Sequence, residues 1–353
     1  MISEVRLQHF RSYTDARYSF SPQVNIIVGP NASGKTNLLE AVLVLARGSS
    51  YRAKDGDLIA FGEPWARLDA LADEEARTVK LVAEPLPMKS YDIGGKPFKR
   101  LSLQHSLPVV LFEPNHLQLL HGSPDQRRNY LDDLLEQLTP GYSGYRRNYR
   151  RVLSHRNALL KRSRLPSNEE LFPWNLRLSE LGAVMSRARA ALVARANEQL
   201  DGLYKDMSGV TTTVAMKYHH HFPLETYESR LLHRLESELS TDLMRGFTAA
   251  GPHREDFELY FNDTPADETA SRGETRTAIL ALKVIELQEL ATARGQTPLL
   301  LLDDVFSELD ASRRAALTAH LQPYQTFITT TDADVTARVF KKHATTITLG
   351  AAL

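Results

Sequence analysis

The sequence predicts an α/β fold with a mainly α-helical insertion in its middle. Three observations predict it. A buried strand, a glycine-containing loop and a helix follow one another near the amino end. A second buried strand, a helix and a further strand follow one another near the carboxyl end. Between them, from Asp125 to about Arg245, the pattern is mainly helical, and 353 residues are enough for about two domains.

The elements of the two ends follow from their patterns. "ISEVRLQHF" alternates apolar and polar residues, "VNIIVG" is a short apolar run, and "TNLLEAVLVLARG" has helical spacing. "TPLLLLDDVF" predicts a buried strand, "ASRRAALTAHLQ" a helix and "TFITTTD" another strand. We expect the two ends to be halves of one sheet.

The helical middle is interrupted at "TPGYSG" and "RLPSNEELFP", where Pro, Gly and Ser break the periodicity. Two leucine-rich stripes with 3-4-3-4 spacing follow. They are Leu178, Leu181, Met185, Ala188 and Leu192, and then Leu224, Tyr227, Leu231, Leu235 and Leu239. This spacing is typical of a short coiled coil and equally of two helices in a compact bundle.

The composition limits the classes of protein. Lys plus Arg and Asp plus Glu number 43 each, so a surface for polyanions must be local. The absence of Cys excludes disulfides and thiolate metal sites. The first twenty residues carry several charges, and no run of eighteen apolar residues occurs. We expect a cytoplasmic protein with no membrane partner.

The stretch "GPNASGKT" has the G-x-x-x-x-G-K-[ST] spacing of a phosphate-binding loop. Backbone N–H groups and the helix start hold phosphate oxygens, Lys35 faces the β and γ phosphates, and Thr36 ligates Mg²⁺. The alternative is an ordinary glycine turn, although the position between strand and helix favours a nucleotide site. The predicted nucleotide-binding residues are Gly29, Pro30, Asn31, Ala32, Ser33, Gly34, Lys35, Thr36 and Asn37.

An acidic pair ends the buried strand "LLLL" near the carboxyl end. We assign Asp303 to the metal, together with Thr36, and expect Asp304 to orient the attacking water or accept its proton. Lys35, Asp303 and Asp304 are therefore the predicted catalytic residues. The alternative is that the pair forms the acidic first turn of the next helix.

At this point the chain resembles the ABC-type ATPases of the SMC and Rad50 group, and most closely the RecF family of DNA-repair proteins. The matching motifs are "LQHFRSY", "GPNASGKTNLLEA", "SYRAKDGDLIAFG", "LLHGSPDQRRNYLD", "GPHRED", "SRGETRT" with "ALKVIEL", and "LLLLDDVFSELD". The resemblance implies an ABC-type P-loop ATPase head made of residues 1–120 and 247–353. Residues 121–246 would form the helical insertion lobe, a DNA-facing arm.

The resemblance also implies a composite site that binds ATP with Mg²⁺. Ser271 and Gly273 stand in the signature motif, which contacts the γ-phosphate held by the opposite subunit, so an ATP-dependent homodimer is expected. Glu274 stands where many relatives have Gln, and its carboxylate has to turn away from a triphosphate. Arg52 resembles an arginine that reaches the phosphates, although a solvated surface charge is the alternative.

Three further positions follow from the resemblance. Asp310 matches the loop that couples the two sites of the dimer, and Thr331 stands where transporter ATPases have a switch histidine. The loop that senses the nucleotide should lie within residues 113–116. The long interval between Lys35 and Ser271 argues against the ATPase subunit of a transporter.

A basic segment predicts a DNA surface. No Asp or Glu occurs between Gln137 and Asn168, and on a helical wheel every cation except Arg156 lies opposite the apolar face. We expect contacts with the backbone of duplex DNA or a junction of single and double strands, the alternative being a solvated charged face. The predicted DNA-binding residues are Arg146, Arg147, Arg150, Arg151, Lys161 and Arg162.

These expectations combine into one functional hypothesis. The chain is expected to be an ATP-dependent DNA-binding protein of recombinational repair and replication-fork maintenance. Two heads close over ATP and clamp duplex or gapped DNA, and a weak, DNA-stimulated ATPase activity releases it. By resemblance, other recombination-mediator proteins take part and a recombinase is loaded on single strands. The alternative is a nucleotide-gated clamp with negligible turnover.

Overall fold

The computed structural model describes residues 1–83, 87–119, 122–162, 164–306, 309–331 and 344–350. It divides into two compact units, the first made of Met1–Leu117 and Lys283–Leu353 and the second of Gln118–Leu282. The first division lies three residues from the boundary expected at residue 120. The second lies 36 residues beyond the one expected at 246, because residues 247–282 associate with the helical unit.

The first unit contains two β-sheets. Strands β1 to β7 are Ile2–Phe10, Tyr13–Ser19, Val24–Val28, Trp65–Ala72, Glu75–Val82, Met88–Ile93 and Lys96–Phe98. Strands β8 and β12 to β14 are Val109–Phe112, Leu299–Asp303, Thr326–Thr330 and Ala344–Thr348. One sheet is antiparallel with the order β2-β1-β4-β5-β6-β7, and the other is parallel with the order β14-β3-β13-β12-β8.

Helix α1, Lys35–Arg47, packs against strands of both sheets. Its residues from Leu38 to Ala46 are all buried, and they join one hydrophobic core with β1, β4, β5 and β12. A helix that is apolar on all sides has to be covered on all sides, which explains this position. One exception within the run is Glu40, a carboxylate that is 0% exposed.

The parallel sheet joins the two ends of the chain, as the sequence predicts. Strands β3, β13, β12 and β8 are neighbours, with Val28 beside Thr330 and Leu302 beside Phe112. Because parallel strands end at the same edge, the segments that follow them meet there. The loop after β3 and the carboxylate that ends β12 are thereby brought together.

The second unit is mainly helical. Helices α2 to α7 are Pro124–Leu138, Tyr142–Leu160, Asn168–Ser208, Tyr227–Ser237, Leu239–Arg245 and Ala266–Thr269, and α8, Arg272–Arg294, begins in this unit. Strands β9, β10 and β11 are Val214–His219, Asp256–Phe261 and Thr264–Pro265, and they form an antiparallel sheet in the order β11-β10-β9. Helix α9, Ala311–Leu321, belongs to the first unit. No helix among the described ranges is long and apolar enough to cross a membrane.

The long helix α4 differs from the predicted break at "RLPSNEELFP", and its packing distinguishes a bundle from a coiled coil. The predicted break "RLPSNEELFP" ends at Ser167, whose side chain caps α4, so Pro173 lies inside the helix. Helix α4, which carries the first leucine stripe, packs against α2, α3, α5 and β9, which is the compact bundle and not an extended coiled coil.

Candidate functional site

The loop after β3 has the conformation that a phosphate site requires. Gly34 has a φ of 95° and Ala32 a φ of 64°, both in the left-handed region. A Cβ at Gly34 would lie 2.9 Å from the hydroxyl oxygen of Tyr13, and that hydroxyl donates to the Gly34 carbonyl at 3.0 Å. The glycine spacing therefore reflects a tight turn that leads directly into α1, whose first N–H groups have no intrahelical partner.

Two side chains of this loop suit an anionic ligand. Lys35 Nζ donates to the carbonyl oxygens of Gly29 at 2.7 Å and Pro30 at 2.9 Å, so its charge lies over the loop. Ser33 Oγ is buried and has no hydrogen-bond partner within the described chain. A buried hydroxyl without a partner is unfavourable, and a phosphate oxygen would satisfy it. The cradle therefore fits a nucleotide phosphate.

Asp303 is the centre of the hydrogen bonds at the sheet edge. Its Oδ1 accepts from the hydroxyls of Thr36 at 3.0 Å and Thr329 at 2.7 Å, and its Oδ2 accepts from Tyr51 at 3.1 Å. Burial and the charge of Asp303 raise the pKa of Tyr51. The Thr36 hydroxyl and the Asp303 carboxylate are hard oxygen donors in direct contact, which is a donor set that fits Mg²⁺.

Asp304 differs from its neighbour. Asp303 is buried, whereas Asp304 is exposed and has a φ of 53°, and its N–H donates to Thr329 Oγ1 at 2.9 Å. A left-handed conformation is unfavourable for a residue with a Cβ and is often found at functional sites. The geometry sends the two side chains to different surroundings, as the two different predicted roles require.

Within residues 113–116, Glu113 directly follows strand β8, which pairs with β12. Burial and then the charge of Asp303 raise the pKa of Glu113. His116 has a different role: its Nδ1 accepts from the N–H of Glu113 at 3.1 Å. Burial and the charge of Lys283 hold the pKa of His116 well below its usual value, so this ring is neutral.

Arg52 lies beside the phosphate loop. One of its nitrogens, Nη2, donates to Asn37 Oδ1 at 2.7 Å and to Glu40 Oε2 at 2.9 Å. Arg52 is therefore an exposed residue whose charge is held by an ion pair with Glu40. Ser50, Tyr51 and Arg52 are consecutive, and each side chain bonds to α1 or to the end of β12.

The signature segment forms the start of helix α8 in the second unit. Ser271 Oγ accepts from the N–H of Glu274 at 3.2 Å, and the Glu274 carboxylate accepts from the N–H of Ser271 at 2.8 Å. This reciprocal pair is a capping box. It holds the Glu274 carboxylate on the backbone, so an acidic residue is compatible with this position. Ser271 is exposed and Gly273 is half-buried.

Asp310 and Thr331 lie at two element ends of the first unit. Asp310 caps α9, with Oδ1 accepting from the N–H of Arg313 at 2.9 Å, and it also pairs with the Arg313 guanidinium. Thr331 is exposed and directly follows β13. These positions fit the roles that the resemblance implies, which stay predictions.

The basic helix α3 requires one correction. Arg146 is 7% exposed, and its guanidinium pairs with Asp132 at 3.2 Å, Asp133 at 2.6 Å and Glu136 at 2.9 Å. All three carboxylates lie on α2. Removing a guanidinium from such a cluster to reach a phosphate would leave buried charge unpaired. Arg146 is therefore a structural residue.

Arg156 confirms the helical wheel, which places it on the apolar face. It is 0% exposed, with Nη1 donating to Asp242 and Thr248 at 2.7 Å each and Nε donating to Asn175 at 2.7 Å. The exposed cations of the segment are Arg147, Arg150, Arg151, Lys161, Arg162 and Arg164. Among these, Arg150 donates to Asn129 Oδ1 at 3.1 Å.

Several residues of the site lie outside the G-x-x-x-x-G-K-[ST] spacing. Tyr51 and Thr329 hold Asp303, and Glu40 holds Arg52, although Tyr51 and Glu40 fall within longer stretches that match the family. Glu113 could have been predicted from the sequence, because it directly follows an apolar strand that ends at the same edge of the sheet. Glu40 could have been found as the one charged residue within the apolar run "LLEAVLVLA".

The fold and the site define a P-loop ATPase head of the SMC type. Residues 1–349 match the family described as RecF/RecN/SMC N terminal domain. The model also resembles the head of Smc bound to the C-winged helix domain of ScpA, with a TM-score of 0.56 over 100% of this chain and 95% of that one, at 15% identity. This second likeness shows the fold alone.

Within this broad family, the chain is similar in length and sequence to RecF proteins. The chain is 35% identical over 342 residues to the DNA replication and repair protein RecF of Heliobacterium modesticaldum, covering 94% of this chain and 92% of the relative. RecF of a Picosynechococcus species is 34% identical over 379 residues, covering 99% and 95%. A solved structure of the recombination mediator RecF with ATP has a TM-score of 0.84 and 30% identity, covering 94% and 92%. The chain belongs to the RecF family.

Proposed function

We propose that this protein binds ATP with Mg²⁺ at the loop after β3 and uses it to dimerise on DNA. The observation that carries the proposal is the contact between Thr36 and Asp303 beside a phosphate cradle that leaves Ser33 Oγ unsatisfied. Lys35 would offset the charge of the triphosphate, and Thr36 with Asp303 would hold Mg²⁺, which would supply Lewis-acid stabilisation to the transferring phosphoryl group. The RecF structure with ATP supports the same ligand.

The second half of the site comes from another copy of the chain. The start of α8 at Ser271 and Gly273 presents N–H groups and a positive dipole end, which suit the γ-phosphate of ATP bound to a partner copy. Because the nucleotide is shared, ATP shifts the equilibrium from monomer to dimer. Loss of the γ-phosphate reverses the shift.

Hydrolysis is proposed to be slow and stimulated by DNA. Asp304 is the candidate for orienting the water, and its side chain reaches less far than Glu would. Glu113 at the same edge is the candidate sensor of the nucleotide. The exposed cations of α3 and the segment after it contact duplex or gapped DNA through its phosphates. With other recombination mediators, the clamp assists loading of a recombinase on single strands.

Sedimentation with ATP, with ADP and without nucleotide tests the proposal. We expect a dimer with ATP only, and its loss in Ser271→Arg. Ser167→Arg is the matched control, because Ser167 caps α4 with the same kind of capping box but lies outside the signature. A dimer that forms equally in all three conditions, or that survives Ser271→Arg unchanged, contradicts the sandwich. ATP turnover measured with and without duplex DNA separates a slow ATPase from a clamp with negligible turnover.

A further inference from the structure

A buried carboxylate beside the phosphate loop has no role in the function proposed so far. Glu40 lies on α1, five residues after Lys35, and is 0% exposed. A buried charge is unfavourable unless donors surround it. Glu40 therefore needs an explanation, and its partners supply one.

Three side chains from two segments of the chain contact Glu40. Arg11, in the turn after β1, donates from Nε and Nη2 at 2.9 Å each, and Ser50 Oγ donates at 2.5 Å. Arg52 Nη2 donates at 2.9 Å. Burial alone would raise the pKa of Glu40, but the hydrogen bonds from Arg11, Arg52 and Ser50 outweigh burial and lower it to about 2. The carboxylate is ionised at neutral pH and is paired with both arginines.

The two arginines are bound differently. Arg11 uses Nε and Nη2 on Glu40, and its Nη1 donates to the Asp57 carbonyl at 2.9 Å. Arg52 uses Nη2 alone, and its Nε and Nη1 make no hydrogen bond to any residue that the structure describes. A guanidinium is a rigid fork of N–H donors. Arg11 is thus engaged at all three nitrogens, whereas Arg52 is held at one nitrogen and keeps N–H groups without a described partner at the other two.

The cluster also touches the phosphate loop. Asn37, which accepts from Arg52, directly follows Thr36 and donates to Ser12 Oγ at 2.9 Å. The next residue, Tyr13 at the start of β2, donates to the Gly34 carbonyl. Arg11, Ser12, Asn37 and Arg52 line one cavity at this side of the loop. The contacts orient Arg52 with respect to the helix that carries Lys35 and Thr36.

We propose that Glu40 is a positioning residue of the nucleotide site, which anchors Arg52 at one nitrogen so that its remaining N–H groups are ready for ATP. Arg11 fixes the carboxylate from the other side. An anchored arginine loses less conformational freedom when the ligand binds than a free one would. The inference rests on the proposed binding of ATP.

The test measures the dissociation constant for ATP by calorimetry in wild type, Glu40→Gln, Arg52→Ala and the double variant. We expect each single change to weaken binding about tenfold, the usual effect of one charged hydrogen bond. If Glu40 acts through Arg52, Glu40→Gln has no further effect in the Arg52→Ala background. Glu63→Gln is the matched control, since Glu63 lines the same cavity and contacts His9 instead.

The outcomes separate the inference from the proposed function. Equal weakening by Glu40→Gln in both backgrounds overturns the positioning role and indicates a structural one. If wild type does not bind ATP, the proposed function and the inference both fail. If the Glu40→Gln variant does not fold, the dissociation constant of Arg52→Lys for ATP tests the inference instead. A lysine keeps the charge but lacks the fork, so we expect about tenfold weaker binding, and wild-type affinity overturns the inference.

Discussion

The phosphate loop and the basic helix α3 were both predicted from short stretches of sequence. The structure agrees with the prediction for the loop but only in part with the prediction for α3. In the loop, the motif residues Lys35 and Thr36 lie where the spacing places them, with Asp303 in direct contact. In α3, the run of cations divides. Arg146 and Arg156 are buried in ion pairs, whereas Arg147, Arg150 and Arg151 are exposed.

The difference teaches what each kind of pattern encodes. A phosphate loop acts through its backbone, so glycine spacing and the following helix define it locally. A charge run acts through side chains whose partners are distant in sequence. Arg156 pairs with Asp242, a residue that no local count includes. Counting the arginines and lysines of a short stretch therefore overestimates how many of them are exposed and available to bind phosphates.

The largest effect is expected at the loop. Lys35→Met removes the charge that faces the phosphates, and ATP affinity should fall at least about a thousandfold, or about 4 kcal/mol. Calorimetry measures the change. The control is Lys54→Met, an exposed lysine outside the motif, which should leave affinity unchanged. Retained affinity in Lys35→Met would remove the phosphate loop from the proposed function.

The second test divides the basic helix into its two classes. Arg146→Met leaves Asp132 buried without one of its cations, so the free energy of unfolding should fall by about 3 kcal/mol. Arg147→Ala, Arg150→Ala and Arg151→Ala combined should leave stability nearly unchanged. The triple variant should weaken DNA binding, with a salt dependence that is flatter by about three units of slope.

Denaturant unfolding and DNA titrations at several salt concentrations measure these effects. The two variants are controls for each other, because they lie on one helix and differ in burial. A triple variant that binds DNA like wild type would favour the alternative of a solvated face. If Arg146→Met is as stable as wild type, the buried ion pairs do not hold α2 to α3.

The smallest effect is expected from His253 in the second unit. Its Nε2 donates to the Thr248 carbonyl at 3.0 Å, and its Nδ1 lies 2.7 Å from the Tyr149 hydroxyl, which donates to it while the ring is neutral. Burial, with the charges of Arg254, Arg128 and His221, lowers the pKa of His253 to about 4, although the Thr248 carbonyl opposes this.

The unfolded state therefore binds this proton more readily than the folded state. The contribution of the neutral His253 ring to the free energy of unfolding is complete above pH 6.5. It is lost as pH falls toward 4, and the loss is about 2 kcal/mol at pH 5. Thermal unfolding between pH 7 and 5 measures the loss. His253→Asn should reduce the dependence in this window, and His155→Asn is the control. An unchanged dependence in His253→Asn would exclude this ring as its source.

Much of the fold could be predicted because its signals are local. The strands β1, β3, β12 and β13 and the helices α1 and α9 follow from periodicity and caps, and the union of the two ends follows from the parallel pattern. The second division of the chain could not be predicted, because α8 is one continuous helix across residue 282. Nor could Pro173 inside α4, since a proline normally marks a boundary.

By itself, the sequence determined the phosphate loop, the acidic strand end and the family, because these depend on short spacings. Only the tertiary structure decided which charges remain available. It placed Glu40 between Arg11 and Arg52, turned Glu274 into a cap and buried Arg146 among three carboxylates. The physical reason is that a charged side chain is defined by what surrounds it. Its partners are chosen by packing over long sequence separations, which no local pattern records.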